Sequence, residues 1–352
     1  MSSTVVAVDY RRAVVRNKEQ SPTSGTGAGQ PGLSRVSKDN AKKRWRVGVV
    51  LNRGAATLKG QDGRDTAGEI RRYFKAAGHQ ASVKLTTGSG MGAIIDRHLK
   101  QKDIDVLIVG GGDGSVSSAA ARLKGSNIAL GIIPLGTMNL FARSLGMPLA
   151  LADALAALVK AHPKPVDVAM VDDRFFLHQL SFGLQPELVK TRERMKYRSR
   201  VGKMFASVRA FLSTLRRPKQ LALEIAIDGE AKVFRTPALV ISNNLYGETL
   251  LPFADKVDEG VLGVYICTSR KWPDLIKLTA DVMLGNWASN PCVETFAVHT
   301  VAIAPLGRGR KPITASLDGE LVQFIGRISV KILPRALTVL VPPKSKAISP
   351  AS

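Results

Sequence analysis

The sequence predicts two domains: an N-terminal α/β domain built on a parallel, doubly wound sheet, and a second domain that is mainly an antiparallel β-sandwich. Three observations lead to this prediction. The chain has 352 residues, which is enough for about two domains of roughly 100–200 residues each. Its first part alternates apolar runs with segments of helical period, and its second part is a series of short strands separated by turn signals.

The α/β domain is predicted over residues 46–165. Its short apolar runs predict buried strands at 47–51, 81–85, 105–109 and 128–133. The segments between and after them predict helices at 65–77, 91–100 and 115–123. Strands alternating with helices predict a parallel sheet, because a parallel connection needs a long crossover. Before this domain, the Gly/Ser/Pro/Thr-rich stretch 21–34 predicts a disordered basic leader over residues 1–45.

The β-rich domain is predicted over residues 166–343, with a tail at 344–352. Turn dipeptides such as Asp172-Asp173 and Asp228-Gly229 separate its apolar segments. The predicted strands are 166–171, 175–182, 221–227, 232–242, 262–268, 293–303, 313–317, 328–333 and 337–341. Two helical insertions interrupt the series, at 186–217 and 272–284.

Composition excludes several classes of protein. Hydrophobic residues make up 45% of the chain, which is enough for a sizeable core, so global disorder is excluded. No apolar run approaches the roughly 20 residues of a membrane-spanning helix. The two cysteines, Cys267 and Cys292, exclude a disulfide scaffold and favour a reducing compartment, and Cys267 lies in an apolar strand typical of a core.

Positive charge is concentrated in two segments. The chain has 51 Lys and Arg against 28 Asp and Glu, a formal net charge of +23. Residues 1–46 contain ten basic and three acidic residues, and residues 190–219 contain eleven basic residues and one acidic residue. This localisation predicts a polyanionic partner, and nucleic acid and an anionic membrane surface are the two candidates.

The strongest local motif is the glycine-rich turn Gly110-Gly111-Gly112-Asp113-Gly114-Ser115, which lies between a predicted strand and a predicted helix. Glycines remove the Cβ atoms that would block an anion, and backbone N–H groups at a helix N-terminus can bind phosphate. A carboxylate beside phosphates needs a cation between them, so Asp113 implies Mg²⁺. By itself, this turn is equally compatible with an ordinary strand-to-helix turn capped by Asp.

A second loop, Pro134-Leu135-Gly136-Thr137-Met138-Asn139-Leu140-Phe141-Ala142-Arg143, follows the next predicted strand. Because consecutive parallel strands end at the same edge of a sheet, both loops are expected to open on one crevice. Gly136, Thr137 and Asn139 can supply a close backbone approach, a hydroxyl and an amide, which suit phosphate or a purine edge. Taken alone, such a loop is more often only the start of a helix.

The two motifs, one strand–helix unit apart, resemble the diacylglycerol kinase catalytic-domain family, which includes bacterial lipid kinases and the sphingosine and ceramide kinases. The resemblance covers about residues 46–343. It implies a fold like that of NAD kinase and diacylglycerol kinase, with ATP and Mg²⁺ as cofactors and a lipid as substrate. The glycine turn alone is shared with NAD kinases and phosphofructokinases, so the pair of motifs carries the resemblance.

The resemblance also implies roles for individual residues. The implied nucleotide-binding positions are Asn52, Thr87, Gly111, Gly112, Asp113, Gly114, Ser115, Gly136, Thr137 and Asn139. Asp113 and Asp258 are the implied metal ligands, and Asp258 lies where bacterial members hold a structural Mg²⁺. Asp318 or Glu320, in the sequence Asp-Gly-Glu, is the implied catalytic base, with no preference between the two. This chain departs from the family at Arg53, in place of a proline, and at Leu140, in place of an Asp.

The basic segment 190–219 also carries apolar residues at helical spacing. They are Val201, Met204, Phe205, Val208, Phe211, Leu212 and Leu215. This pattern predicts an amphipathic helix that binds an anionic membrane surface, and a helix packed on its own domain with a solvated basic face is the alternative. Nucleic acid is disfavoured, because no helix-turn-helix, zinc or aromatic RNA-binding signature accompanies the charge.

These observations predict an ATP-dependent lipid kinase that transfers the γ-phosphate to a lipid hydroxyl, of diacylglycerol or a sphingoid base, at a membrane surface. The expected location is cytoplasmic, peripheral on the inner face of the membrane. Two alternatives are an NAD kinase-type phosphotransferase and a catalytically degenerate basic protein that binds membranes or nucleic acid. The sequence leaves open the acceptor lipid and the oligomeric state, a homodimer included.

Overall fold

Two β-sheets organise the part of the chain that the computed structural model describes, which is residues 44–343 without 59–62, 195–217, 228, 248–251, 308 and 310. One sheet has ten strands and the other has six. The predicted leader up to residue 43, the basic amphipathic helix over 195–217 and the tail from residue 344 lie outside the described residues.

The α/β lobe, residues 44–161, has the predicted alternation of strands and helices. Its strands are β1 (Arg46–Asn52), β2 (Gln80–Thr86), β3 (Val106–Gly111) and β4 (Ala129–Pro134). Its helices are α1 (Gly63–Ala76), α2 (Gly88–Gln101), α3 (Asp113–Arg122), α4 (Leu140–Ser144) and α5 (Leu151–Leu158). The strands pair in parallel in the order β2-β1-β3-β4, which confirms the doubly wound sheet. Both β3 and β4 are buried along their whole length, because helices cover both faces of the sheet.

The sandwich lobe, residues 162–341, is mainly antiparallel, as predicted. Its strands are β5 (His162–Val171), β6 (Arg174–Phe176), β7 (Gln179–Gly183), β8 (Leu221–Ile227), β9 (Glu230–Thr236), β10 (Ala238–Asn243), β11 (Leu262–Cys267), β12 (Val293–Val298), β13 (Thr300–Pro305), β14 (Ile313–Leu317), β15 (Glu320–Phe324) and β16 (Ile328–Val341). Its helices are α6 (Leu184–Arg194) and α7 (Trp272–Leu284). The six-stranded sheet has the order β12-β11-β10-β7-β14-β15. Its inner face packs on strands of the ten-stranded sheet around one core, which includes Phe182, Ile225, Ile241 and Val330.

One long strand, β16, joins the two lobes. It pairs in parallel with β4 through Val339 and Leu130, and in antiparallel with β5 and β13. The prediction of two strands, 328–333 and 337–341, was wrong, because they form one strand with an irregularity between Leu333 and Leu337. The α/β lobe and the sandwich lobe therefore share a continuous sheet.

Three other predictions of a single strand were wrong, because each segment forms two strands that belong to different sheets. Residues 175–182 divide into β6 and β7, residues 232–242 into β9 and β10, and residues 293–303 into β12 and β13. In each case the chain leaves one sheet and enters the other. A strand of a sandwich can pass from one sheet to the other at a bend without an intervening polar loop, so hydrophobicity does not reveal the change.

Candidate active site

Three turns at the carboxyl edge of the parallel sheet line one pocket of about 560 Å³. They follow β1, β3 and β4, whose ends are level because Leu51 pairs with Gly110 and Gly111 pairs with Pro134. The lining residues are Asn52, Gly54, Ala55, Ala56, Gly88, Met91, Gly112, Asp113, Gly114, Ser115, Ser118, Gly136, Thr137 and Glu320. Most of the residues expected to bind nucleotide are therefore together, and Glu320 from the sandwich lobe joins them.

The glycine-rich turn and the loop after β4 touch each other through two glycines. A Cβ placed on Gly136 would overlap Cα of Gly112, and a Cβ on Gly112 would lie 3.3 Å from Cα of Gly136. Gly112 precedes α3 in extended conformation, and the first residues of the helix, Asp113 to Ser115, line the pocket. The first N–H groups of a helix have no acceptor within it, which makes this end of α3 suited to phosphate.

Asn139 shapes the second loop from beneath the pocket. Its backbone is left-handed, with φ of 51°, and its side chain is buried. The N–H of Gly136 donates to Oδ1 of Asn139 at 2.9 Å, and Nδ2 of Asn139 donates to the carbonyl of Gly136 at 2.9 Å. Asn adopts this conformation at lower cost than most residues, which explains its presence in the motif. Asn139 is absent from the pocket lining, so its contribution is to loop shape.

Asn52 connects the turn after β1 to the start of α3. Its Nδ2 donates to the Ser115 hydroxyl at 3.0 Å, and its Oδ1 accepts the N–H of Gly54 at 2.9 Å. Gly111 lies inside the sheet, where a Cβ would come within 2.6 Å of Ser115. Thr87 precedes α2 and contacts the Ser89 hydroxyl at 3.1 Å, and its neighbour Gly88 lines the pocket. Gly111 and Thr87 therefore support the pocket from outside its lining.

Asp113 is the acidic group of the glycine-rich turn, and it lines the pocket half-buried. Its Oδ1 accepts the N–H of Phe141, in the first turn of α4, at 3.3 Å. A carboxylate at a helix N-terminus is favourable, because it satisfies an N–H group that has no acceptor in the helix. Asp113 thus ties the glycine-rich turn to the second loop and still faces the pocket.

The structure separates the two candidates for the base. Asp318 and Gly319 form the turn between β14 and β15 with φ of 47° and 89°, so Asp318 is not extended and does not share a strand face with Glu320. Glu320, the first residue of β15, extends into the pocket, where its Oε1 lies 3.3 Å from the position of a Cβ on Gly114. Only Glu320 of the pair lines the pocket.

Asp318 is partly buried and accepts four hydrogen bonds. Its Oδ1 accepts the N–H groups of His178 and Gln179, both at 2.9 Å. Its Oδ2 accepts the Ser117 hydroxyl at 2.5 Å and the N–H of Leu177 at 2.9 Å. Burial raises the pKa of the Asp318 carboxyl, and these hydrogen bonds offset part of the rise. Because donors from the protein occupy both oxygens, the role of Asp318 is structural: it connects the β14–β15 turn to α3 and to the start of β7.

A buried polar and aromatic group adjoins Asp318 on the sandwich lobe. Burial lowers the pKa of His178 to about 4, although the negative charge of Asp113 opposes the shift, so the imidazole is neutral at pH 7. The His178 ring lies 5.6 Å from that of Tyr246, whose hydroxyl donates to Oε1 of Gln179. These residues and Ser117 come from separate elements without a shared motif, so the sequence alone did not reveal them.

Asp258, the second implied metal ligand, lies apart from this pocket and pairs with a cation of the protein. Nζ of Lys164 is 2.8 Å from its Oδ2, and both side chains are partly exposed. Across the described residues, no three or more His, Cys, Asp and Glu side chains cluster in a way that could hold a metal. A metal at Asp258 would have to displace the Lys164 ammonium group.

The tripeptide Asp-Gly-Glu occurs a second time, at residues 228–230. Gly229 there also has positive φ, 95°, and Glu230 is the first residue of β9. Glu230 is exposed, and its nearest charged partner is Lys232 at 3.9 Å. The two glutamates therefore begin comparable hairpin strands, but only Glu320 reaches the pocket.

A doubly wound lobe with glycine-rich turns at its carboxyl edge, joined to an antiparallel sandwich, defines a class of two-lobed phosphotransferases. The family model of the diacylglycerol kinase catalytic domain matches residues 46–171, and that of the YegS C-terminal NAD kinase beta sandwich-like domain matches residues 180–341. The chain belongs to the diacylglycerol kinase catalytic-domain family, a family of phosphotransferases, and membership implies the use of ATP.

Relatives agree with this assignment. A diacylglycerol kinase from Staphylococcus aureus is 27% identical over 254 residues, which cover 70% of this chain and 78% of the relative. An uncharacterized protein from Synechocystis is 27% identical over 243 residues, which cover 67% of this chain and about half, 54%, of that relative. The crystal structure of a diacylglycerol kinase from Bacillus anthracis has the same fold, with a TM-score of 0.61 at 20% identity, covering 86% of this chain and 99% of that one.

None of the helices in the described part of the chain is long and apolar enough to span a membrane.

Proposed function

We propose that this protein is an ATP-dependent lipid kinase that transfers the γ-phosphate of ATP to a lipid hydroxyl, of diacylglycerol or a sphingoid base, at a membrane surface. The observation that carries the proposal is the position of Glu320. It begins a strand of the sandwich lobe and lines the same pocket as Gly112, Asp113 and Gly114 of the α/β lobe. A pocket lined by both lobes can hold a phosphate donor on one side and an acceptor hydroxyl on the other.

The α/β lobe supplies the nucleotide side of the reaction. Phosphoryl transfer depends mainly on positioning and on stabilisation of the phosphate charge, with little covalent chemistry by the protein. The helix N-terminus after Gly112 provides backbone N–H groups for the phosphates. Gly136, whose own N–H donates to Asn139, contributes the space that the absent side chain leaves. Asn52 and Ser115, already hydrogen-bonded to each other at 3.0 Å, provide neutral polar groups beside them.

The residues present fit Mg²⁺ held jointly with the nucleotide. Mg²⁺ is usually bound by one or two carboxylates together with substrate phosphates and water. Asp113 is the carboxylate of the glycine-rich turn, and it lies where the phosphates are proposed to bind. Mg²⁺ would offset the negative charge of the phosphates there.

Glu320 is the proposed catalytic base. Its carboxylate would accept the proton of the lipid hydroxyl as the oxygen attacks the γ-phosphate, and a positioned base typically contributes about 10²–10⁴-fold to a rate. Asp318 is poorly suited to this role, because four donors of the protein already occupy its oxygens. We assign to Asp318 the positioning of the β14–β15 turn.

The acceptor implies a membrane surface on the cytoplasmic side. A lipid hydroxyl lies at the interface of a bilayer, so the kinase has to bind there to reach it. The basic segment 190–219 suits an anionic surface, where each basic residue adds about 1 kcal/mol of attraction. Glu187 of α6 pairs with two lysines of this segment, Lys190 in the same helix at 3.4 Å and Lys219 at 3.3 Å.

The test is a phosphate-transfer assay with radiolabelled ATP, Mg²⁺ and vesicles that contain diacylglycerol, sphingosine or ceramide, with NAD as a soluble acceptor. Glu320→Gln is compared with Glu230→Gln, the matched change in the other Asp-Gly-Glu sequence. We expect label in a lipid, lost by at least 10²-fold in Glu320→Gln and retained in Glu230→Gln.

Label in NAD alone would replace the proposal with an NAD kinase-type activity. Absence of label from every acceptor, with vesicle binding intact, would indicate a catalytically degenerate membrane-binding protein.

A further inference from the structure

Helix α7 has an exposed face that combines apolar and basic residues. Its outward positions Pro273, Lys277, Ala280 and Leu284 recur at i, i+4, i+7 and i+11, which places them along one side of the helix. Trp272, at its first position, is 48% exposed, and Leu284 is 66% exposed. Large apolar side chains at both ends of one surface helix form a pattern that requires an explanation.

The charges around this face are positive. Arg270, Lys271 and Lys277 are all exposed, and within the described part of the chain no carboxylate lies within ion-pair distance of any of them.

The two acidic residues of the helix are engaged elsewhere. Asp274 accepts the Ser269 hydroxyl at 2.6 Å, and Asp281 accepts Nδ2 of Asn290 at 2.6 Å. The surface presented by α7 is therefore apolar and cationic.

The opposite side of α7 packs on the outer face of the six-stranded sheet. Leu275, Ile276 and Leu278 contact Cys267, at the end of β11, and Leu184, at the start of α6. The side of α7 that faces the protein is therefore covered, and the side that carries Lys277 is left exposed.

The C-terminal end of α7 adjoins the group that contacts Asp318. Val282 packs with Trp287, Tyr246 and Tyr265. The Tyr246 hydroxyl donates to Gln179, whose N–H binds Asp318. Contacts therefore run from the C-terminal end of α7 through Tyr246 and Gln179 to Asp318.

We propose that the exposed face of α7, with Trp272 and Leu284 as apolar contacts and Arg270, Lys271 and Lys277 as cationic contacts, binds the surface of an anionic bilayer. A helix with Trp and Leu among lysines and arginines is suited to lie in the plane of a membrane interface, with tryptophan at the level of the headgroups. This inference rests on the proposed function, which places the acceptor in a bilayer. It adds a second membrane contact to the basic segment 190–219.

The tryptophan content of the chain allows a direct test. Of its three tryptophans, Trp45 and Trp287 are each 7% exposed and only Trp272 is half-exposed. Full-length protein is mixed with phosphatidylcholine vesicles that contain 30% phosphatidylglycerol brominated on its acyl chains, which quenches fluorescence on contact. We expect a blue shift and quenching of the exposed component, and loss of both in Trp272→Phe. Binding measured by vesicle sedimentation, without quenching of Trp272, would overturn the proposal.

The charge contribution is tested by vesicle sedimentation with Lys271→Glu/Lys277→Glu. Each lost cation weakens vesicle binding by about fivefold, and reversing its charge weakens binding further. We therefore expect the affinity for vesicles to fall at least tenfold. Arg327→Glu/Lys331→Glu, at exposed positions beside and on β16, makes the same change in net charge and should bind within about twofold of the natural protein. Equal loss in this control would indicate attraction by net charge alone and would overturn the assignment to α7.

A phosphorylation assay separates this inference from the proposed function. The α7 variants should lose transfer to diacylglycerol in vesicles but keep transfer to a short-chain diacylglycerol dispersed in detergent. Specific quenching of Trp272 without phosphorylation of any lipid would support the membrane contact and refute the lipid kinase. Phosphorylation of a lipid without quenching of Trp272 would support the lipid kinase and refute the membrane contact of α7.

Discussion

The Ser117 hydroxyl donates to Oδ2 of Asp318 at 2.5 Å, across a separation of 201 residues in the chain. Ser117 lies one helical turn after Asp113 on α3, and Asp318 lies two residues before Glu320. The bond therefore connects the helix that is proposed to bind phosphate to the hairpin that carries the proposed base. Its effect is to set the position of Glu320 relative to the glycine-rich turn.

Removing this bond should reduce catalysis more than nucleotide binding. In Ser117→Ala the Glu320 hairpin loses its link to α3, so we expect kcat to fall about tenfold with little change in KM for ATP. A hydrogen bond to a charged group is worth about 1.5–3 kcal/mol, so the free energy of unfolding should also fall by about that amount. Steady-state kinetics and urea unfolding measure the two effects.

Two variants distinguish positioning from general destabilisation. Ser117→Thr keeps the hydroxyl and should restore kcat. Ser181→Ala removes another hydroxyl of the sandwich lobe, which donates to the Ser316 carbonyl at 3.4 Å, and should leave kcat unchanged. Equal losses of kcat in Ser117→Ala and Ser181→Ala would contradict the positioning role.

The sequence predicted the α/β lobe better than the sandwich lobe for a physical reason. The strands of a parallel sheet covered by helices on both faces are continuous apolar runs, and the crossovers between them are long, so 105–109 and 128–133 were located to within a few residues. In the sandwich, the chain turns from β9 into β10 at Pro237, with no polar loop between the two strands. Only the three-dimensional pairing reveals that the sheet changes there.

In the candidate site, too, the features set by neighbouring residues were predicted, and those set by distant residues were not. The two loops at Gly112 and Gly136 were predicted together, because consecutive parallel strands must end at one edge. The choice between Asp318 and Glu320 depends on a turn with positive φ and on donors from β7 and α3, which are distant in sequence. No local pattern distinguishes Glu320 from Glu230, since both follow Asp-Gly.

Gly136→Ala should disable the nucleotide pocket. The new Cβ would overlap Cα of Gly112, a backbone atom that cannot rotate away, so the two turns must separate. We expect loss of ATP binding and a destabilisation of about 1–3 kcal/mol. Isothermal titration with a non-hydrolysable ATP analogue and thermal unfolding measure these effects.

Gly68→Ala on α1 is the matched control for this substitution. A Cβ at Gly68 meets nothing within 4 Å, so the change should stabilise the helix by about 0.5–1 kcal/mol and leave ATP binding intact. Normal ATP affinity in Gly136→Ala would show that the turns do not need to touch.

The Lys164–Asp258 pair makes a prediction about metal dependence. Because the ammonium group lies 2.8 Å from the carboxylate, we expect millimolar Mg²⁺ to leave the Tm of the nucleotide-free protein unchanged. Asp258→Asn should cost no more than about 1 kcal/mol, as is usual for a partly exposed ion pair. A rise in Tm with Mg²⁺ that Asp258→Asn abolishes would instead establish Asp258 as a metal ligand.

The free energy of unfolding should decrease as the pH is lowered, because of His178. Its pKa is about 4 in the folded protein, lowered by burial, against an ordinary value of 6.5. Between these values the unfolded chain binds a proton that the folded protein does not, so stability is full above pH 6.5 and is lost as the pH falls towards 4. The loss is at most about 3 kcal/mol, since one unit of pKa corresponds to about 1.4 kcal/mol.

Urea unfolding between pH 4.5 and 7.5 measures this dependence in the natural protein and in His178→Gln. The two proteins share every other titrating group, so the difference between their pH profiles isolates the imidazole. We expect a shallower fall in His178→Gln, whereas His299→Gln, at an exposed position, should retain the profile of the natural protein. Parallel profiles for the natural protein and His178→Gln would mean that His178 accepts a proton in the folded state, in conflict with its burial beside Tyr246.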